Sequence, residues 1–201
     1  MKENSALRAQ IESTKSSLLS NSLRVSKDTV PIVQKYIRES ARTLNLDLKT
    51  IECYIYSKPD YNAFSISQNK TSILVALSSS LVKILNGAEL KFLLGHELGH
   101  AIFGHSESTH LGHGDMDYKS VKLLRDMEIS ADRIGFLCAN SLQDSITAMM
   151  KIASGLDSEF LSKDIRPFLD QNIPLTQHMN NSQYQYSTHP PLPLRAKSLV
   201  W

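Results

Sequence analysis

Five consecutive residues, His96-Glu97-Leu98-Gly99-His100, carry the most specific chemistry in this chain. They lie in a run over residues 89–103 that reads as a helix. On an α-helix, positions four apart are rotated by only about 40° and separated by about 6 Å of rise. Both imidazoles therefore leave one face, where they can share a metal ion about 2.0–2.1 Å from each nitrogen. Glu97, next to His96, can reach a water on that metal without ligating it. The segment thus supplies two ligands and a general base. The competing reading is a pair of core histidines and a core glutamate. Burying three such groups without a metal is a costly way to fill a core, so the spacing favours a metal, and the ligand types favour one Zn2+ per chain.

A catalytic zinc site usually keeps three protein ligands and an open position. His105 is a poor third ligand, because nine residues past His96 a continued helix points it about 180° away. Gly and His at three and six residues past the second histidine would mark a metzincin. Here Gly104 and His105 fall at four and five. His110 and His113 lie in a polar stretch where solvated histidines are the default. Glu128 is better. It shares a helix face with Asp132, four residues on, and that face borders an apolar stripe through Leu124, Met127, Ala131 and Leu137. Zinc for Glu128 and a ligand imidazole N–H for Asp132 would give both carboxylates a partner. The alternative leaves both as surface acids paired with Arg125 and Arg133.

The elements that must position these residues follow from pattern. Residues 5–20 have helical character. Asp28 reads as an N-cap with Pro31 early in the following turn, and Val30, Val33, Ile37 and Ala41 form a helical stripe to about Leu44. Ile51, Cys53 and Ile55 alternate with Glu52, Tyr54 and Tyr56, a half-buried strand. After a turn at residues 58–62 comes a short extended piece, Ala63-Phe64-Ser65-Ile66. A further turn at Gln68-Asn69-Lys70 leads to a strand over 71–77. Ser78, Ser79 and Ser80 cap a helix over 81–86, which Asn86-Gly87 breaks before the motif helix. Residues 104–117 read as a polar loop able to gate access. A long helix follows over 118–140, with Val121, Leu124, Met127, Ala131, Ile134 and Cys138 as its apolar face, and another over 141–155, ended by Gly155. Short helical turns are expected near Phe160 and Pro167. Pro190, Pro191 and Pro193 exclude helix locally, and a last helix starts at Arg195. The fold class is α+β: a mainly helical, zincin-like domain with a small antiparallel sheet on the motif helix, divided as a helical region over 1–45 and a catalytic region over 46–201.

Composition sets the remaining bounds. The chain has 201 residues, 41% hydrophobic and 21% charged, with a formal net charge of +2, as expected of a globular domain. No basic block implies nucleic acid, and no stretch approaches the roughly 18–20 apolar residues that span a bilayer. The N-terminus lacks an apolar leader core, so the expectation is a cytoplasmic protein. Cys53 and Cys138 read as buried free thiols.

Four blocks in order resemble the zinc metallopeptidases of the CAAX prenyl protease and HtpX type, which are gluzincins. These are Asn62-Ala63-Phe64; the 96–100 motif with Gly104-His105 after it; Glu128-Ile129-Ser130-Ala131-Asp132; and Thr188-His189-Pro190 with Arg195. They span residues 62–195. The resemblance implies Glu128 as third zinc ligand, His189 as the group stabilising the oxyanion, and Arg195 as partner of Asp132 or steadier of the site. It also implies that Asn62, with Ala63 and Phe64, holds substrate backbone. Surface or turn positions are the plain alternatives for His189, Arg195 and Asn62. Integral-membrane members of the family carry spans that this sequence lacks, and many secreted members carry a signal peptide. Both departures favour a soluble stand-alone domain, and the end of the chain six residues after Arg195 is consistent with a cut from a longer protein.

The expected activity is a zinc endopeptidase acting on protein or peptide substrates, with Glu97 as base and the substrate added as a strand along residues 63–66. The alternative is a zinc-bound peptide-binding or quality-control module, latched by His110, His113 or His178. An intact Glu97 argues against that module, which needs no base. A purely structural zinc would usually be closed by a fourth residue, often cysteine, and neither cysteine is well placed.

Overall fold

The computed structural model describes residues 2–68, 72–105, 118–174 and 187–200. The turn at 69–70, most of the 104–117 loop, and His110, His113 and His178 lie outside the described residues.

The order of elements is α1 (Lys2–Asn21), β1 (Ser22–Arg24), α2 (Pro31–Thr43), a 3-10 turn (Leu48–Thr50), β2 (Ile51–Tyr56), β3 (Ala63–Gln68) and β4 (Ser72–Ser78). Then come α3 (Ser79–Ile84), α4 (Gly87–Phe103), α5 (Tyr118–Ala139), α6 (Leu142–Ser154), α7 (Arg166–Asp170) and α8 (Leu192–Ser198). Among the described residues this is an α+β arrangement, mostly helical, with one four-stranded sheet in the order β1-β2-β4-β3.

The sheet corrects the antiparallel expectation, because it is mixed. β2 and β4 pair in parallel, Ile51 opposite Ile73 through Tyr56 opposite Ser78. β3 returns antiparallel along the far side of β4, Ala63 opposite Leu77, and β1 adds antiparallel to β2. The run Ile73-Leu74-Val75-Ala76-Leu77 is apolar on both faces, as a central strand covered from both sides must be. Ile73, Val75 and Leu77 join the main core with Leu90, Leu94 and Leu98 of α4. Leu74 and Ala76 face a second cluster with Leu18 of α1 and Tyr54 of β2. Tyr54, which alternation places on the polar face of its strand, is therefore fully buried. Its hydroxyl donates to Glu52 at 2.9 Å, and Glu52 also pairs with Lys15 of α1 and with Arg24.

Several helix boundaries follow capping chemistry, and two expectations about them are corrected. Asp28 does not cap α2. Ser26 organises that turn instead, its hydroxyl accepting from the backbone N–H groups of Asp28 and Thr29. The helix then begins at Pro31 without a side-chain cap. Pro193 does not exclude helix either. It lies in the first turn of α8, where a missing N–H costs nothing. Ser78 caps α3 and Ser141 caps α6, which ends on Gly155 at φ 69.

The motif helix α4 has the strongest start. Asn86 accepts from the Ala88 and Glu89 N–H groups, and Glu89 accepts from the Asn86 N–H, a full capping box. Glu89 is 1% exposed and takes a 2.8 Å contact from the equally buried Lys151 of α6, whose ammonium also donates to the Ile84 carbonyl at 2.7 Å. This pair ties the start of α4 to α6. The helical region before residue 46 shares the same core through Val33 and Ile37. Both cysteines are buried thiols, and burial pushes Cys53 up to about 12 and Cys138 up to about 11. No helix among the described residues is long and apolar enough to cross a membrane.

Candidate metal centre

The site depends on how closely α4 and α5 approach. A Cβ added at Gly95 would stand 2.7 Å from the Cys138 Cβ and 2.9 Å from the Gly135 Cα, and one at Gly99 would stand 3.1 Å from the Ala131 Cα. Small residues on both helices let the backbones touch, so that Glu128 of α5 reaches the two histidines of α4. Gly95→Ala is therefore expected to destabilise the fold by about 1–3 kcal/mol through overpacking. It should also weaken metal binding by widening the gap that Glu128 spans. Thermal unfolding and chelator competition on the same preparation check both parts.

His96, His100 and Glu128 each direct one ligand atom into a common space, all within 4.8 Å of one another. The His96 and His100 Nε2 atoms are 3.0 Å apart. Glu128 Oε1 lies 3.3 Å from His100 Nε2 and Oε2 lies 3.8 Å from His96 Nε2. Donors about 2.0–2.2 Å from a tetrahedral ion stand about 3.3–3.6 Å from each other, a spacing that the imidazole pair and the two imidazole–carboxylate approaches bracket. Two ring nitrogens facing each other at 3.0 Å must have either an N–H hydrogen or a metal ion between them. The donor set therefore fits a metal such as zinc.

Electrostatics prepare the carboxylates. Burial would raise Glu128, but the His100 hydrogen bond and the His96 and Arg195 charges outweigh it and hold the group near 2. Asp132, fully buried, is likewise pushed up by burial and brought below its usual range by hydrogen bonds from Arg195 and His96. His96 is lowered by burial and raised more by Asp132. The Asp132 carboxylate faces His96 Nδ1 at 3.0 Å, which leaves Nε2 turned to the ligand triangle. Arg195 of α8 holds Asp132 through Nε and Nη2 at 2.8 and 2.7 Å and reaches Glu128 Oε2 with Nη1 at 2.9 Å. The carboxylates are thus partnered by Arg195 and the histidines, in place of the surface pairing with Arg125 and Arg133 that the sequence also allows.

Glu97 is 5% exposed, and its carbonyl accepts from the Ser65 hydroxyl at 2.8 Å. Ser67 makes a similar link to the Ala101 carbonyl at 3.3 Å. These two serines fix β3 along α4. Both alternate with Phe64 and Ile66, a period-2 polar pattern that the sequence displays and that sequence reasoning missed. A cleft of about 480 Å³ lies along β3 and is lined by Asn62, Ala63 and Phe64 as well as Glu97, His189 and the three ligand candidates. The Asn62 N–H donates to the Ser78 hydroxyl at 3.3 Å, and its carbonyl accepts from the Ser78 N–H at 2.9 Å and from the Tyr56 hydroxyl at 3.1 Å. His189 is 69% exposed in its side chain, with Nε2 3.5 Å from Glu128 Oε1. Its segment is tied to α5 by Arg125 Nε, which donates to the Ser187 carbonyl at 2.9 Å.

His105 is the residue that helical extrapolation misplaces. The helix stops at Phe103, and Gly104 turns the chain at φ 68. His105 then folds back, 7% exposed, with its Nδ1 2.7 Å from His100 Nδ1. A glycine just past the last apolar turn is the signal that marks such a stop.

The chain is 25% identical to the plastoglobule-localized metallopeptidase 48, chloroplastic, of Arabidopsis thaliana, over 90% of this chain and 59% of that protein. It is 34% identical to protease HtpX of Nitrosococcus oceani over 42% of this chain and 29% of the relative. The identity to protease HtpX of Thioalkalivibrio sulfidiphilus is 31%, over 50% and 33%. The chain therefore spans less than two thirds of the length of these relatives. No solved structure matches it. The model of Peptidase family M48 matches residues 28–116 and 116–200, and the chain belongs to that family.

Proposed function

We propose that this chain is a zinc metalloendopeptidase with a zincin-like site, hydrolysing peptide bonds of protein substrates. The observation that carries the reading is the triangle of His96, His100 and Glu128 with Glu97 beside it, opening on a cleft bounded by the edge strand β3. Membership of a peptidase family and relatives named as proteases support it. The chemistry is assigned to residues 46–201, with residues 1–45 completing the core around them.

His96, His100 and Glu128 would hold one zinc. When bound, that ion supplies Lewis acidity, polarising a carbonyl and acidifying a water. The rest falls to the chain. An extended substrate adds to β3 along residues 63–66 by main-chain hydrogen bonds, with Asn62 at the entry to that strand. Glu97 takes the proton from the attacking water and returns it to the leaving amine. The exposed ring of His189 has room to turn its Nε2–H towards the carbonyl oxygen as charge develops there, a role worth about 3–4 kcal/mol for a single donor. Asp132 keeps His96 Nδ1 occupied, and Arg195 holds Asp132.

The direct test is zinc content together with cleavage of casein. One zinc per chain is expected, with cleavage abolished by a chelator and restored by added zinc. Absence of bound metal, or cleavage that survives chelation, would overturn the proposal.

A further inference from the structure

We infer that His105 is a positioning residue for the metal centre: it accepts a hydrogen bond from His100 and so fixes the ring of that ligand. The inference rests on the metal reading above and goes beyond it, because His105 is neither a ligand nor a catalytic residue.

A neutral imidazole has one N–H and one lone pair. His100 directs Nε2 into the ligand triangle, 3.0 Å from His96 Nε2 and 3.3 Å from Glu128 Oε1. Once Nε2 gives its lone pair to a metal, the ring proton must be on Nδ1. Among the described residues that N–H faces His105 Nδ1 at 2.7 Å, which must then be an acceptor. His105 consequently carries its own proton on Nε2.

The pairing is built into the backbone. Gly104 adopts φ 68 as the C-cap of α4, a conformation that disfavours side chains bearing a Cβ. This turn brings His105 back over the helix it has just left. Its ring stacks on Phe103, centroids 5.4 Å apart and planes 24° from parallel, and meets the His100 ring edge-on at 4.9 Å. Three contacts therefore fix a ring that sequence geometry alone would send to the opposite side of α4.

The two ligand histidines are then oriented by different chemistry. His96 is backed by the Asp132 carboxylate, itself clamped by Arg195. His100 is backed by an imidazole. Partners of this kind hold ligand orientation, and their loss typically costs about 10–100-fold in metal affinity.

The test compares His105→Leu with His105→Asn. The asparagine side chain can place its amide oxygen near the position of the imidazole Nδ1 and accept the same bond, whereas leucine cannot. Zinc affinity is measured by competition with a chromophoric chelator, and thermal unfolding is followed for the metal-free and zinc-loaded forms. His105→Leu is expected to lose about 10–100-fold in zinc affinity, and His105→Asn to recover most of it. The metal-free forms should unfold close to the parent, so that the deficit appears in the zinc-induced rise. Zinc binding by His105→Leu at the parent's affinity would overturn the inference. Equal weakness of both variants, matched by equal loss in the metal-free forms, would also overturn it by assigning His105 to packing alone. A parent that binds no zinc would overturn the metal reading itself, and the inference with it.

Discussion

Glu97→Gln is expected to bind one zinc per chain and to hydrolyse peptide bonds about 10²–10⁴-fold more slowly than the parent, the usual weight of a positioned acid–base group. Glutamine matches glutamate in size, so the buried position, 5% exposed, stays filled. The backbone link from Ser65 to the Glu97 carbonyl is untouched. The ligand atoms belong to His96, His100 and Glu128, and none is altered. What the amide cannot do is accept a proton from water and hand it on. A fluorogenic peptide assay alongside zinc determination checks both halves. Zinc-dependent turnover at the parent's rate would remove Glu97 from its role. His100→Ala gives the contrasting outcome, since loss of a ligand takes metal and activity together.

Much of this site is legible in the amino-acid sequence because its spacing is short-range. Two histidines four apart on one helix, and Glu128 with Asp132 four apart on another, are relations that helix geometry fixes by itself. The small residues that bring the two helices together are also visible, but their meaning is not. Gly95, Gly99 and Gly135 read as weak helix formers until the two helices are seen to cross at them. Longer relations are less accessible. The parallel pairing of β2 with β4 depends on where the intervening β3 settles, and local alternation carries no information about that. Tyr54 reads as solvent-facing because α1, which covers it, has a weak pattern of its own. His105 is misplaced when the helix is extended past Phe103, through Gly104.

Arg195 is where the second large effect is expected. Arg195→Met should destabilise the metal-free protein by about 3–5 kcal/mol, the usual cost of stranding a buried charge, or roughly 6–20 °C for a domain of this size. Asp132 would keep His96 and lose both guanidinium contacts, at 2.8 and 2.7 Å, and Glu128 would lose the third at 2.9 Å. Zinc should restore only part of the loss, since it neutralises Glu128 and does not touch Asp132. The dependence on pH has a definite sign. Glu128 sits near 2 in the fold, against an ordinary 4.5, and Asp132 lies below its ordinary 3.8. Stabilisation from depressed carboxylates is complete above their unfolded values and lost as pH falls through the folded ones. The gap between parent and variant should therefore be widest near pH 7 and narrow from about pH 4.5 towards pH 2. Adding Asp132→Leu to Arg195→Met removes the stranded carboxylate, so the double variant should be more stable than Arg195→Met alone. It should still bind zinc more weakly than the parent, because His96 has lost the partner that orients it. An Arg195→Met protein that unfolds at the parent temperature would mean the guanidinium contributes nothing net to holding α5 and α8 around the site.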